Sequence, residues 1–95
     1  MTDEVHIASL VVHVDPRSLS GVEQGLQAVV SAQVHGTHPD GKLVVTLEGP
    51  SASAIMDDVA QIQQIEGVLN VSLVYQHAEA RHLMNQGAAH DQHSA

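Results

Sequence analysis

The sequence contains no cysteine, and this absence excludes several kinds of chemistry. Without a thiol the chain can form no disulfide, thiolate nucleophile or iron–sulfur ligand, and the common structural zinc sites also require cysteine. Phenylalanine and tryptophan are absent as well, and Tyr75 is the only aromatic residue. Stacking on nucleic-acid bases therefore has almost no side chain to use, so we expect no nucleic-acid partner. The core has to be built from aliphatic side chains.

Basic side chains are scarce as well. Three lysines and arginines accompany eleven aspartates and glutamates, so the formal net charge is −8. This charge repels phosphate backbones and anionic membranes, and it favours a cationic partner. The chain also has eight histidines. Because imidazole side chains titrate at about pH 6.5, the negative field should fade as the pH falls through that range, and an electrostatic partnership should weaken with it.

Long apolar runs are missing too. No run reaches the roughly 18 residues of a membrane-spanning helix, and the acidic Asp3 and Glu4 stand where a secretory signal would have a basic region. We therefore expect a cytoplasmic protein with no membrane insertion. Its 95 residues fit one small domain, whose core competes with any deep cleft for the same apolar side chains. A large partner would have to bind on the surface.

Apolar residues recur with a period of two in four segments and at spacings of three and four in two others, which predicts four strands and two helices. Asp15 and Pro16 are typical of a helix start, and the segment PDGK at 39–42 is typical of a hairpin turn. A later start of the first helix, with Ser20 as its cap, stays open. The predicted strands are 5–14, 33–38, 43–48 and 68–76, and the predicted helices are 16–31 and 51–66 or 53–66.

The order strand, helix, strand, strand, helix, strand predicts an α+β fold of the ferredoxin-like type. This split βαβ (βαββαβ) arrangement has a four-stranded antiparallel sheet with two helices on one face. We place the single domain at 1–77 and expect a flexible tail at 78–95, which has too few bulky apolar residues to offset the entropy of ordering it. The side of the sheet away from the helices is called the open face below. On the last strand, alternation predicts that the side of the sheet covered by the helices receives Leu69, Val71, Leu73 and Tyr75.

The open face is the candidate binding site. Its aliphatic side chains can receive the apolar stripe of a peptide, its hydroxyl side chains permit close approach, and Glu48 can accept an arginine. An ordinary solvated face, or one covered by a second copy of the chain, would show the same alternation. The predicted peptide-binding residues are Ile7, Ser9 and Val11 from the first strand, Val44, Thr46 and Glu48 from the third, and Asn70, Ser72 and Val74 from the last.

No group of residues has the spacing of a catalytic centre. Ser9 and His13 share a strand face, but four residues of strand separate them by about 13 Å. Asp57 and Asp58 are neighbours on a helix and diverge by about 100°, so they do not face each other across a substrate. We therefore expect no enzyme.

The histidines are the remaining candidates for a metal site. Six of the eight occur in pairs three or five residues apart, and this spacing does not bring three ligands together. Solvated surface imidazoles explain the same pattern, so we expect neither a metal nor a cofactor. The pairs are His35 and His38, His77 and His82, and His90 and His93.

Three segments resemble one known family. SLVVHV in the first strand, KLVVTLE in the third and IEGVLNVSLVYQH around the last are similar to the NapD family, small assembly chaperones for periplasmic nitrate reductase. The likeness runs from about Ile7 to His77. Residues 9–12 correspond to the SLVV of the family, and residues 71–75 correspond to its VSLVY. His13, His35 and His38 depart from the family pattern.

The resemblance implies a cytoplasmic chaperone with a ferredoxin-like fold. Such a chaperone binds the twin-arginine signal peptide of the molybdenum-containing catalytic subunit, and it delays export until cofactor insertion and folding are complete. Family members are thought to hold the peptide on the sheet side, which matches the open face. A net charge of −8 and an aliphatic face complement two guanidinium groups followed by an apolar stretch. We expect the chaperone to be a monomer.

An ACT-like regulatory domain is the alternative. Such domains share this topology, and they pair their sheets in a dimer to bind small molecules at the interface. This alternative predicts a dimer that a metabolite stabilises, whereas the chaperone hypothesis predicts a monomer that a peptide stabilises.

Overall fold

The computed structural model describes residues 4–80 of the chain. The elements are β1 (Glu4–Val14), a 3₁₀ turn (Pro16–Ser18), α1 (Leu19–Gln27), β2 (Ala32–His38), β3 (Lys42–Gly49), α2 (Ala52–Gln63) and β4 (Val68–Ala80). The strands form a four-stranded sheet in the order β2-β3-β1-β4, and every neighbouring pair is antiparallel. The predicted ferredoxin-like βαββαβ fold is confirmed.

The core lies between the helices and one side of the sheet. Buried and less buried residues alternate along much of β1, as the period of two predicts. The same alternation holds on β3, where Val45 is fully buried and the adjacent Val44 is 47% exposed. The core combines inward residues of the strands and turns with the inner stripes of both helices: Ala8, Leu10, Val12, Val14, Val22, Leu26, Val29, Leu43, Val45, Leu47, Ile55, Val59 and Ile62.

The first helix is shorter than the predicted 16–31. The carboxylate of Asp15 accepts a hydrogen bond from the backbone N–H of Arg17 at 3.0 Å, and this caps the 3₁₀ turn before α1 begins. The alternative start with Ser20 as the cap is wrong, because Ser20 lies inside α1. The helix also ends earlier than predicted, because the chain turns after it toward β2. In this turn Val29 enters the core while Val30 stays exposed.

The second helix begins after Ser51, one of the two predicted caps, and the alternative cap Ser53 is wrong because it lies inside α2. The hydroxyl of Ser51 accepts a hydrogen bond from the backbone N–H of Ala54 at 3.0 Å and caps α2. The helix ends at Gln63 rather than Glu66, and Gly67 then adopts a φ of +99°, a conformation that glycine tolerates. Neither helix in the described part of the chain has the length and apolar content that a bilayer crossing requires.

The last strand is longer than predicted. It continues past Gln76 to Ala80, which lies opposite Glu4 of β1. The tail predicted at 78–95 thus overlaps the end of β4, and residues 81–95 lie outside the described residues.

Two irregularities interrupt the pairing of β4 with β1, one at Leu69 and one at Val74. An extra residue in a strand shifts the alternation of its side chains by one position. Tyr75 therefore lies opposite Ser9 on the open face, and the prediction that it shares the side of Leu73 is wrong. Leu73 itself lies opposite Leu10 on the core side, as predicted.

Candidate functional site

The open face brings together eight of the nine residues predicted for it. Directly opposed residues of antiparallel strands extend to the same side of a sheet. Val74, the ninth predicted residue, lies where the pairing with β1 skips one position, and it is 65% exposed. The rows of the open face are Ile7 with Glu48, Ser9 with Thr46, Val11 with Val44 and Ser72, and His13 with Asn70.

The centre of the open face is aliphatic and hydroxylic. Ile7 and Val11 are half-buried, and so are the hydroxyl-bearing Ser9, Thr46 and Ser72 between and beside them. Small hydroxyl side chains leave room for a close approach, and the aliphatic ones offer area to bury. The face can therefore pack against the apolar side of a bound peptide.

Two depressions lie side by side on the open face. The first has a volume of about 530 Å³, and its lining includes Ile7, Ser31, Gln33, His35, Thr46 and Glu48. The second has a volume of about 390 Å³, and its lining includes Val11, Gly36, Thr37, His38, Lys42 and Val44. Because their β3 residues follow one another on the same side of that strand, the two depressions form a shallow trough along β3.

One end of the trough carries the carboxylate of Glu48, and the other carries the cationic Lys42 together with the carboxylate of Asp40. Glu48 is exposed in the first depression, and no cationic side chain of residues 4–80 lies within ion-pair distance of it. Lys42 lies in the second depression, close to His38, whose Nδ1 is 3.4 Å from Oδ2 of Asp40. A peptide with a cationic and an apolar segment would be oriented with its cationic segment toward Glu48.

His35 belongs to this surface, although sequence analysis did not place it there. Its Nε2 lies 2.7 Å from Oγ1 of Thr46, so its ring forms part of the wall of the first depression. His35 falls at an irregularity in the pairing of β2 with β3, next to Gly36. The glycine was the one available signal, because glycine inside a strand often marks a bulge.

Tyr75 and His77 also lie on the open face, because of the bulge at Val74. Their rings are 5.4 Å apart and inclined at 56°. Nε2 of His77 is 2.6 Å from Oε2 of Glu79, so this carboxylate already has a local partner. The only aromatic residue of the chain thus flanks the predicted site.

The histidines do not assemble a metal centre within residues 4–80. No three histidine, aspartate or glutamate side chains in this part of the chain are placed to share a metal ion. His35 and His38 instead contact different groups, a hydroxyl and a carboxylate. His82, His90 and His93 lie outside the described residues, so the pairs that include them stay predictions.

Comparison with known proteins agrees with this architecture. The family model described as NapD protein matches residues 5–80. The chaperone NapD of Haemophilus influenzae is 30% identical over 71 residues, which cover 74% of this chain and 76% of that protein. The chaperone NapD of Escherichia coli K12 is 31% identical over 74 residues, which cover 77% and 85%.

A solved structure gives the same result. The solution structure of the E. coli Tat proofreading chaperone protein NapD superposes with a TM-score of 0.73 at 30% sequence identity, over 79% of this chain and 80% of that one. The relatives are named as chaperones and not as enzymes. Family model, sequence and fold therefore agree that this chain belongs to the NapD family.

Proposed function

We propose that this protein binds the twin-arginine signal peptide of a periplasmic nitrate reductase catalytic subunit on its open face. By holding the peptide it delays export until insertion of the molybdenum cofactor and folding are complete. The solved relative is the E. coli Tat proofreading chaperone protein NapD, which supports a role before export. Because the peptide has to be captured before it crosses the membrane, the protein acts in the cytoplasm.

One observation carries this proposal: an aliphatic face with no helix of residues 4–80 over it lies beside an exposed carboxylate. Ile7 and Val11 present half-buried area in the middle of the sheet, and Glu48 stands at the edge of the same surface. A twin-arginine peptide offers the complementary pattern, because its guanidinium groups precede an apolar stretch.

The two parts of the surface contribute differently to binding. Burial of apolar area favours association by about 25 cal/mol for each Å² removed from water, before the entropic costs of binding are subtracted. We expect the aliphatic rows to supply most of this favourable contribution. The carboxylate of Glu48 can accept both N–H groups of one guanidinium edge, which fixes the orientation of the peptide. The net charge of −8 raises the association rate with a cationic segment.

Calorimetric titration tests this proposal. The signal peptide of the nitrate reductase from the same organism is compared with a copy whose two arginines are replaced by alanine. We expect the altered peptide to bind at least tenfold more weakly, which corresponds to about 1.4 kcal/mol. Absence of binding by either peptide to the folded protein would contradict the proposal, and so would equal affinities.

The oligomeric state separates this proposal from the ACT-like alternative, which shares the topology. The chaperone acts as a monomer, because a second copy on the open face would cover the peptide site. Sedimentation equilibrium at micromolar concentration should give a mass near 10.0 kDa. A dimer that dissociates when the peptide is added would show that copies compete for this face, and a dimer unaffected by the peptide would contradict the monomeric state.

A further inference from the structure

The turn between α1 and β2 joins two acidic residues from different elements. The hydroxyl of Ser31 donates a hydrogen bond to Oδ2 of Asp58 on α2 at 2.5 Å. The carbonyl of Ser31 accepts a hydrogen bond from the backbone N–H of Glu48 on β3 at 3.2 Å. Val30, the preceding residue, is 98% exposed, although Val29 is buried. An exposed apolar side chain therefore precedes a serine that holds the carboxylate of Asp58 and the backbone, but not the carboxylate, of Glu48.

A third depression lies on the far side of this turn. Its volume is about 530 Å³, and its lining includes Pro50, Ala54 and Asp58. It shares Val30, Ser31 and Glu48 with the first depression on the open face. The Val30–Ser31 turn thus separates the two depressions, and this feature is called the ridge below. Glu48 borders both depressions, whereas Asp58 borders only the third.

The two carboxylates beside the ridge lack the ion-pair partners that several other acidic groups in residues 4–80 have. Four acidic side chains in this part of the chain have a cationic or imidazole partner within 4.0 Å, whereas Glu48 and Asp58 have none there. The four pairs are Glu4 with His6, Asp15 with Arg17, Asp40 with His38 and Glu79 with His77. Glu48 and Asp58 are the carboxylates among the residues that line the first and third depressions, and Asp58 is half-buried with Oδ2 bonded to Ser31.

We infer that the two arginines of the signal peptide divide across the ridge, with one guanidinium against Glu48 in the first depression and the other against Asp58 in the third. This inference rests on the proposed function. Neighbouring side chains leave an extended chain on opposite sides and a helix at about 100° to each other, so adjacent arginines diverge in either conformation. Each guanidinium engages one carboxylate through its two-pronged edge, and a pair of them therefore needs acceptors on two sides.

Val30 completes this arrangement. The methylene groups of an arginine side chain pack on apolar surface while its charged end reaches a polar partner. An exposed valine on the crest of the ridge offers such surface to both arginines. The ridge would thus recognise two adjacent arginines as a unit and would favour them over a single arginine.

A cycle of protein variants and peptides tests the division. The proteins are the parent, Glu48→Gln, Asp58→Asn and Asp57→Asn, and the peptides carry Arg-Arg, Ala-Arg or Arg-Ala at the twin positions. In the parent each single alanine should weaken binding by about tenfold, as expected for one charge-assisted contact. The peptide affinity of Glu48→Gln should be unaffected by one of the two alanine replacements, and the affinity of Asp58→Asn should be unaffected by the other.

Asp57→Asn is the matched control. Asp57 is the neighbour of Asp58 on α2, it is exposed, and loss of its charge changes the net charge of the protein by the same amount. This variant should respond to all three peptides as the parent does. An amide at position 58 can still accept the Ser31 hydroxyl, so Asp58→Asn preserves the turn, and thermal unfolding checks that it does.

The outcomes separate this inference from the proposed function. If the parent binds Arg-Arg and a doubly alanine-substituted peptide equally, the proposed function fails. If the parent distinguishes them but Asp58→Asn matches the parent for every peptide, only the division across the ridge is overturned. Equal sensitivity of Asp58→Asn to both single replacements would also overturn it.

Amide NMR signals of the unaltered protein give a second measurement that does not depend on any variant. Addition of the Arg-Arg peptide should shift the signals of Ser31, Asp58 and Gln61, which lines the third depression. One of the singly replaced peptides should leave the Asp58 and Gln61 signals unchanged. Shifts confined to the open face with all peptides would overturn the inference.

Discussion

Two adjacent valines on β3 lie in opposite environments. Val45 is fully buried in the core, and Val44 is 47% exposed on the open face. We expect Val45→Ala to lower the free energy of unfolding by about 2 kcal/mol, because it removes two buried carbon atoms and leaves a cavity. Val44→Ala, the matched control, should lower it by less than about 1 kcal/mol. Urea denaturation followed by circular dichroism measures both, and equal losses would contradict the assignment of faces.

The ionisation of Asp15 makes the stability of the fold depend on pH, and its contact with Arg17 determines the direction of this dependence. Hydrogen bonds from the side chain of Arg17, and then from its backbone N–H, hold the pKa of the Asp15 carboxyl below its ordinary value. A carboxyl with a lower pKa in the folded than in the unfolded chain stabilises the fold above its unfolded pKa. This contribution is lost as the pH falls through the folded pKa.

Asp15→Asn should therefore be less stable than the parent at neutral pH, and the difference should shrink below about pH 4. Urea unfolding of both proteins between about pH 7 and about pH 2 measures the difference. The asparagine keeps a capping oxygen, so the comparison isolates the charge. A stability difference that stays constant to the lowest pH would show that the ion pair with Arg17 does not cause it.

At the scale of the secondary-structure elements, the regularity of each strand determined what could be predicted. β1 and β3 pair without interruption from His6 to His13, so a period of two assigned their facing rows correctly. β4 contains extra residues at Leu69 and Val74, both of them typical of a regular strand. Nothing in the alternation marks them as bulges, and the side of Tyr75 was therefore predicted wrongly.

The strand residues that face the candidate site could be predicted from the sequence. Ser31 and His35, which line its first depression from outside β1 and β3, could not. Ser31 lies in a turn at a position that helical spacing assigned to the first helix. His35 reaches Thr46 only because β2 is irregular where it pairs with β3. Tertiary contacts bring these residues together. The local sequence patterns that predict strands and helices carry no information about such contacts.

A large cationic side chain at the centre of the open face should weaken binding of the peptide to the whole sheet. Ser9 and Ser72 lie in adjacent rows of the open face, so Ser9→Arg and Ser72→Arg should each weaken peptide binding at least tenfold by steric and electrostatic conflict. Gln24→Arg, on the exposed side of α1, is the control with the same change of charge. Calorimetry measures all three, and undiminished binding by both serine variants would show that the peptide docks elsewhere.

At the scale of the whole molecule, the effect of the net charge on peptide affinity can be separated from the effect of a charge on the open face. Glu48→Lys and Glu66→Lys change the net charge by the same amount, but only Glu48 lies on the open face. We expect Glu48→Lys to weaken peptide binding at least tenfold. Glu66→Lys should have a smaller effect that largely disappears in about 0.5 M salt, because screening removes long-range interactions first. Titrations at low and high salt measure this, and parent-like affinity of Glu48→Lys would remove Glu48 from the site.

The bulge at Val74 shifts the alternation of β4 by one position, so the even-numbered residues just before it and the odd-numbered residues after it lie on the open face. Before it Leu73 lies on the core side, and after it Tyr75 and His77 lie on the open face. Loss or gain of one residue at this point would exchange the inward and outward side chains from 75 to 79, while the residues opposite Leu10, Val11 and Val12 would keep their sides. A single insertion or deletion can therefore replace the side chains at one flank of the open face without moving the rows before the bulge.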